Sequence, residues 1–305
     1  MRSLLSLLLS VSVITAGAQK LTVENEVVTS SAYEDSKDNR LGNGYIDKVS
    51  VTYDMPLSMR LTEDKKPVMW RAFVRGFYGH AENNGAAAVY NPDDILNATV
   101  NVMHIRPIGE RWTLMATAGI GIHSTFDDFT WRDVFANAAA VFSYRHNANL
   151  DYGVGVAAIT TYGWPIVLPM PYVRYHSTQT QGRPTPGTWE FDINFMGRAQ
   201  LTASTWLTPR LKLNIDGLDM QSMHANVKYD GKWKVYTTTT AQSGIRPELT
   251  LGKKSTLSLA AGIVWRRTTN LADRSYAGFF KSFNHNRRRH FGRAAYITVG
   301  YSTRL

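Results

Sequence analysis

Along most of the chain, apolar and polar residues alternate one by one. This is the period of an extended strand whose two faces meet different surroundings. Trp112, Leu114, Ala116, Ala118, Ile120 and Ile122 share one face, against Arg111, Thr113, Thr117, Gly119 and Gly121 on the other. The same apolar row recurs as Leu96, Ala98, Val100 and Val102, then as Val134, Ala136, Ala138, Ala140, Phe142 and Tyr144, and again as Leu150, Tyr152, Val154, Val156 and Ala158. Trp189, Phe191, Ile193 and Phe195 alternate with Glu190, Asp192 and Asn194, and Leu211, Leu213 and Ile215 with Lys212, Asn214 and Asp216. Leu257, Leu259, Ala261, Ile263 and Trp265 precede a last strand, 293–305, with Ala295, Ile297, Val299, Tyr301 and Leu305 on one face. The apolar rows are almost free of charge, while the opposite rows hold Gly, Thr, Asn, Asp and Arg. Apolar-out and polar-in rows of roughly 9–11 residues are the signature of a transmembrane β-barrel. A soluble sandwich alternates too, so strand number, strand length and the closing C-terminal strand carry the decision.

Connection lengths orient the barrel. Short ones at 107–111, 146–149 and 252–255 read as periplasmic turns; long polar ones at 31–43, 79–94, 123–131, 221–242 and 267–292 read as extracellular loops. With 21–30 as the first strand and 188–196 and 199–207 as a pair, the count is about fourteen; omitting the first and merging that pair gives twelve. Pro165, Pro169 and Pro171 fall in or near the strand at 166–176. Proline has no N–H for a ladder and a closed barrel has no free edge, so a bulge or bend is expected there, after a tight turn at 162–165.

The ends and the composition fix the compartment. Arg2, the apolar run 4–14 and the small-residue site Ala16-Gly17-Ala18 read as a signal peptide over residues 1–18, leaving one domain, 19–305. There is no cysteine, so a lipoprotein anchor and disulfides are both excluded. The 15 Tyr and 8 Trp lie largely at strand edges, where amphipathic rings favour a membrane interface. Mean hydropathy of −0.25 is too polar for a helical membrane protein but suits a barrel. The net charge of +10, on an exported chain, points to lipid headgroups, lipopolysaccharide phosphates or small anions, not nucleic acid.

Four segments carry a resemblance: VENEVVTSSAYEDSKDNRLGNGYIDKVSVTYDMPL (23–57), GVGVAAITTYGWPIVLPMPYVRY (153–175), WEFDINFMGRAQLTASTWLTPRLKLNIDG (189–217) and SGIRPELTLGKKSTLSLAAGIVW (243–265). Together they resemble a family of uncharacterised outer-membrane β-barrel proteins of Gram-negative bacteria. The resemblance implies the fold and the outer membrane, and brings neither an activity nor site residues. The chain departs from many such barrels by ending in Leu305, not an aromatic residue, although Tyr301 keeps an aromatic on the same face for the barrel-assembly machinery.

Candidate chemistry is sparse. His123 and Ser124 with Asp127 and Asp128 could build a rim hydrolase, yet as sequence neighbours they read better as a polar loop. His80, His104, His176 and His224 lack metal-ligand spacing, so neither metal nor cofactor is expected. Glu190 and Asp192 could serve as an acid/base pair; a lumen ion network suits them better. Arg266, Arg267, Arg287, Arg288, Arg289 and Arg293, with Phe279, Phe280, Phe283 and Phe291 interleaved, are candidate anion or lipopolysaccharide contacts. Candidate lumen charges are Arg71, Arg75, Arg174, Glu190, Asp192, Arg210, Arg246 and Glu248, with Lys48, Lys212, Arg266, Asp151 and Asp216 beside them. If these pair with one another, the barrel is plugged or structural; an excess of hydrated arginine would make an anion-preferring pore. The expectation is a monomeric, non-enzymatic outer-membrane barrel forming a narrow pore or transporter for small anionic or hydrophobic solutes. Its rivals are a structural or surface-binding barrel, an outer-membrane hydrolase and a periplasmic sandwich.

Overall fold

A computed structural model describes residues 19–64, 66–126, 129–177, 185–195, 198–282 and 289–305. The expected signal peptide, 1–18, lies outside them. The strands are β1 (Lys20–Glu34), β2 (Arg40–Leu61), β3 (Pro67–Gly85), β4 (Asp94–Pro107), β5 (Trp112–Ser124), β6 (Val134–Arg145), β7 (Leu150–Ile159), β8 (Ile166–His176), β9 (Trp189–Asn194), β10 (Ala199–Trp206), β11 (Leu211–Tyr229), β12 (Lys232–Leu251), β13 (Ser255–Asp273), β14 (Arg289–Phe291) and β15 (Ala294–Arg304). From β1 to β13 each pairs antiparallel with its chain neighbours. Both β14 and β15 lie between β13 and β1, so they are two pieces of one wall strand broken at 292–293. The sheet closes through β1 and β15, giving a barrel of fourteen wall strands.

The expected apolar rows face outward. Val154 is 71% exposed and Ile120 64%, within a continuous band that also holds Val100, Val156, Ile215, Leu259, Ile263, Ile297 and Val299. A band this continuous is foreign to a water-soluble surface, and it identifies the fold as a transmembrane antiparallel β-barrel. Trp112, Tyr144 and Tyr152 stand side by side on the outside near the periplasmic turns, with ring centroids 5.0 and 5.6 Å apart; this is a piece of interfacial girdle. No helix among the described residues is long and apolar enough to cross a membrane.

Several connections are shorter than the sequence pattern implies. Residues 221–242 form no loop: β11 and β12 run on as one hairpin to a turn at Asp230 and Gly231, both at positive φ. Such a two-residue turn matches the twist of its strands. Likewise β1 and β2 continue to residues 34 and 40, β3 to Gly85 and β13 to Asp273. Above the bilayer there is no lipid-facing row to signal a strand, which is why these extensions read as polar loop. A short helix α1 (Ala86–Tyr90), a 3-10 turn (Trp131–Asp133) and a helix α2 (Tyr276–Ser282) complete the extracellular side.

The expected bulge in β8 is absent. It pairs with β7 in continuous register through Val156–Pro169 and Val154–Pro171. The strand tolerates its prolines because only Tyr172 to His176 pair with β9; residues 166–171 have no partner on that side among the described residues. The wall does have a local free edge there.

Candidate functional site

The inward faces of the strands build a lumen with two unlike sides. On β1 to β3 and β9 to β13, with Arg174 of β8 at its margin, it is charged, and most of the charges are matched. Lys48 meets Glu26, with 7% and 11% of the side chains exposed, and Arg71 meets Asp54. Arg174 lies 3.2 Å from Asp192, Lys212 2.6 Å from Glu190, Arg246 3.1 Å from Asp216 and Arg198 3.2 Å from Asp219. Gln242 Nε2 donates to Glu26 at 2.9 Å, and Thr202 Oγ1 to Asp216 at 2.9 Å. Arg246 also reaches Glu248 at 3.9 Å. Arg75 makes no ion pair among the described residues; its guanidinium stands 5.9 Å from the Phe77 ring. Matched pairs cancel one another's field at a distance, so this side offers little net attraction for a passing ion.

On β5 to β8 part of the inner wall is apolar, above Arg145, Asp151 and Arg174 at its periplasmic end. Val141, Met170 and Tyr172 are buried against Met115, Ala139 and Ala157. Nothing in the alternation distinguished these from the other inward rows, since small and apolar residues are acceptable on either face.

Between the two sides lies the upper half of the β11–β12 hairpin. A register shift between Asp216 and Asp219 turns β11 out of the wall and into the interior. One face places Met223 and Ala225 in a cluster with Val28, Ile46, Ala81 and Ile95. The other places His224 and Asn226 by His123 of β5: Asn226 Nδ2 lies 3.1 Å from its Nε2 and donates to the Arg132 carbonyl oxygen at 2.5 Å. The Asn97 side chain on β4 bonds both main-chain groups of His224. Above this tongue, Tyr162 and Ile166 pack on Val235, Ala272 and Phe279, and the Tyr162 hydroxyl lies 2.9 Å from Thr237 Oγ1. The extracellular end of the lumen is therefore filled by the protein's own hairpin, the β7–β8 turn and α2. One recess outside it, of about 280 Å³, is lined by Tyr90, Tyr229, Tyr236 and Arg289.

The arginine cluster is divided. Arg266 faces outward, because a register shift beside it reverses the alternation, and its Nη2 lies 3.0 Å from His290 Nδ1. The expectation of Arg266 in the lumen is thereby corrected. Arg293 also faces outward, 5.7 Å from the Trp265 ring. Arg267 points inward, buried 3.6 Å from the centre of the Phe291 ring. Arg289 stands 3.2 Å over Tyr90 in the recess. Arg287 and Arg288 lie outside the described residues. Arg210, expected in the lumen, lies in the exposed periplasmic turn before β11, since the turn closed by Thr208 ends one residue later than the alternation implies.

His123 and Ser124 are adjacent on one strand and so point to opposite faces. Ser124 Oγ accepts the Phe126 N–H at 3.1 Å, and Asp127 and Asp128 lie outside the described residues. Among the described residues, Glu34, Asp38 and His290 form the one grouping of metal-ligating side chains. The Arg266 guanidinium beside His290 opposes a cation there.

Among the solved barrels that the chain resembles are two channels or transporters and a protease. The COG4313 outer membrane channel from Pseudomonas putida F1 matches at 10% identity and TM-score 0.49, over 95% of this chain and 96% of that one. The Pseudomonas putida toluene transporter TodX matches at 10% and 0.37, over 94% and 90%. The outer membrane protease OmpT from Escherichia coli matches at 6% and 0.28, over 97% and 100%. Channel, transporter and protease stand together here, so no activity passes to this chain from them. No protein of curated function matches. A family model described as a domain of unknown function, DUF6268, matches residues 14–304.

Proposed function

The chain belongs to the DUF6268 family, and we propose that it works in the outer membrane as a narrow conduit for small hydrophobic solutes. The outward apolar band and the aromatic girdle support the membrane setting. One observation carries the choice of solute: most of the lumen's charges are matched in pairs, while the inner wall from Met115 through Val141 to Met170 and Tyr172 is apolar. An aqueous anion pore needs unmatched, hydrated arginine along an open axis. Here the axis is crossed by the β11–β12 tongue. Fourteen strands also lie between the side-chain-filled ~8-stranded barrels and the open ~16–18-stranded porins.

A structural or surface-binding barrel without transport would share the filled mouth. Conductance across a planar bilayer, with a salt gradient, tests the reading against an aqueous pore. Folded, inserted protein is expected to give no steady anion-selective steps. Steady steps of that kind would replace the hydrophobic conduit with an anion channel.

A further inference from the structure

Among the described residues, the wall of the barrel is incomplete in its outer half. The β9–β10 hairpin turns back after Asn194 and resumes at Ala199, so neither strand reaches the height of β8's upper six residues. At ~3.3 Å per residue, about 20 Å of β8 has no neighbour on that side. The withheld hairpin amounts to two strands, about 10 Å of wall at ~4.8 Å each. Across the gap stands β11, which leaves β10 after Met220 and turns inward.

Among the described residues neither edge of this gap bonds to the other, and the exposed main chain is reduced on each separately. On β8, Pro169 and Pro171 pair opposite Val156 and Val154 without a register shift. Proline cannot donate to β7, so these are the non-hydrogen-bonded positions, whose main chain faces the gap. Of residues 167, 169 and 171, which share that direction, only Val167 keeps an N–H. In hydrocarbon an unpaired N–H is costly, and the sequence has removed the donors from the edge that lacks a partner. On β11, the His224 N–H and C=O are taken by Asn97. A wall strand held open on both sides in this way is a built opening.

We propose that hydrophobic molecules pass between the outer leaflet and the lumen through this lateral portal, framed by β8 at 167–171, the tops of β9 and β10, and β11 at Met220 and Ser222. The inference rests on the hydrophobic-conduit reading and supplies its route. Val167 and Pro169 are exposed on the lipid side; Leu168, 37% exposed, faces inward from the same stretch. Below it Met170 and Tyr172 continue the apolar wall toward Val141 and Met115. Above it Tyr162, Ile166 and Val235 form a roof. A molecule using this path sheds no charge and crosses no ion pair of the opposite wall. The class it admits is uncharged and apolar, aromatic or aliphatic, already dissolved in lipid.

The chain's lack of cysteine makes the test clean. Cells bearing the barrel in their outer membrane are given the hydrophobic fluorophore N-phenylnaphthylamine, and its uptake is followed. In Leu168→Cys, attachment of pyrenylmaleimide is expected to bring uptake down from its unlabelled level to that of cells without the barrel. Ser222→Cys, on the facing side of the gap, should respond to the label in the same way and serves if the first variant folds poorly. Val89→Cys, on the extracellular helix, should be unaffected by the label. Uptake that survives labelling at both 168 and 222, with wild type still active, overturns the portal and leaves the conduit. Wild-type uptake no faster than in barrel-free cells overturns the conduit itself.

Discussion

Asn97 on β4 holds both main-chain groups of His224 on β11: its Nδ2 donates to the His224 carbonyl oxygen at 2.7 Å, and its Oδ1 accepts the His224 N–H at 2.9 Å. A side-chain amide here does the work of a missing strand neighbour. Asn97→Leu leaves a buried donor and acceptor unpaired, at about 1–3 kcal/mol each. Asn97→Asp keeps the acceptor alone and should fall between. Denaturant unfolding in detergent reads both; a loss within error for Asn97→Leu would mean that the tongue is not held at this point.

The Glu26–Lys48 pair fixes the lower edge of the tongue, since Lys48 Nζ also donates to Gln221 Oε1 at 3.2 Å. Lys48→Met strands a buried carboxylate and should cost about 3–5 kcal/mol. The double change Glu26→Gln with Lys48→Met should recover most of that loss. Equal losses in single and double variants would show that the pair's charges do not matter to the fold.

Two proline experiments separate the free edge from the paired wall. Pro169→Ala restores an N–H that faces the gap without a partner among the described residues, and should cost up to about 1–3 kcal/mol while the barrel still assembles. Ala157→Pro, on a strand bonded to β6 and β8, removes a ladder bond and strands a carbonyl at about 1–3 kcal/mol. Heat-modifiable migration on SDS gels scores assembly. If Pro169→Ala instead made the barrel more resistant to heat, the restored N–H would have a partner and the edge would not be free.

Arg293 beside Trp265, and Arg266, lie on the same outer surface, and a role as lipopolysaccharide contacts can be tested there. Arg266→Gln with Arg293→Gln should weaken binding of lipopolysaccharide in a salt-sensitive way and leave fluorophore uptake unchanged. Binding that is unaffected in low salt would return these arginines to the role of solvated rim.

Much of the wall was legible in the sequence because lipid enforces a strict rule: Val154 and Val156, or Ile263 and Trp265, cannot face any other way. The interior obeys no such rule. Met115 and Val141 are compatible with either face, and only the register of four strands brings them to Met170 and Tyr172. The tongue was illegible for a related reason. Once β11 leaves the wall, both its faces meet protein, so Met223, His224, Ala225 and Asn226 show no contrast between one side and the other. The prolines of β8 were visible as an anomaly; their explanation depended on the short reach of β9 and β10, which no residue of β8 announces. Arg266 was misplaced because a single-residue shift beside it moves every later side chain to the other face.

The most direct measurement compares two probes in one strain: N-phenylnaphthylamine and a hydrophilic anion of similar size, each with and without the barrel in the outer membrane. The account predicts that the barrel speeds the hydrophobic probe and leaves the anion at its background rate. A faster anion with an unchanged hydrophobic probe would contradict it, and would make the lumen's arginines, not its apolar wall, the working surface.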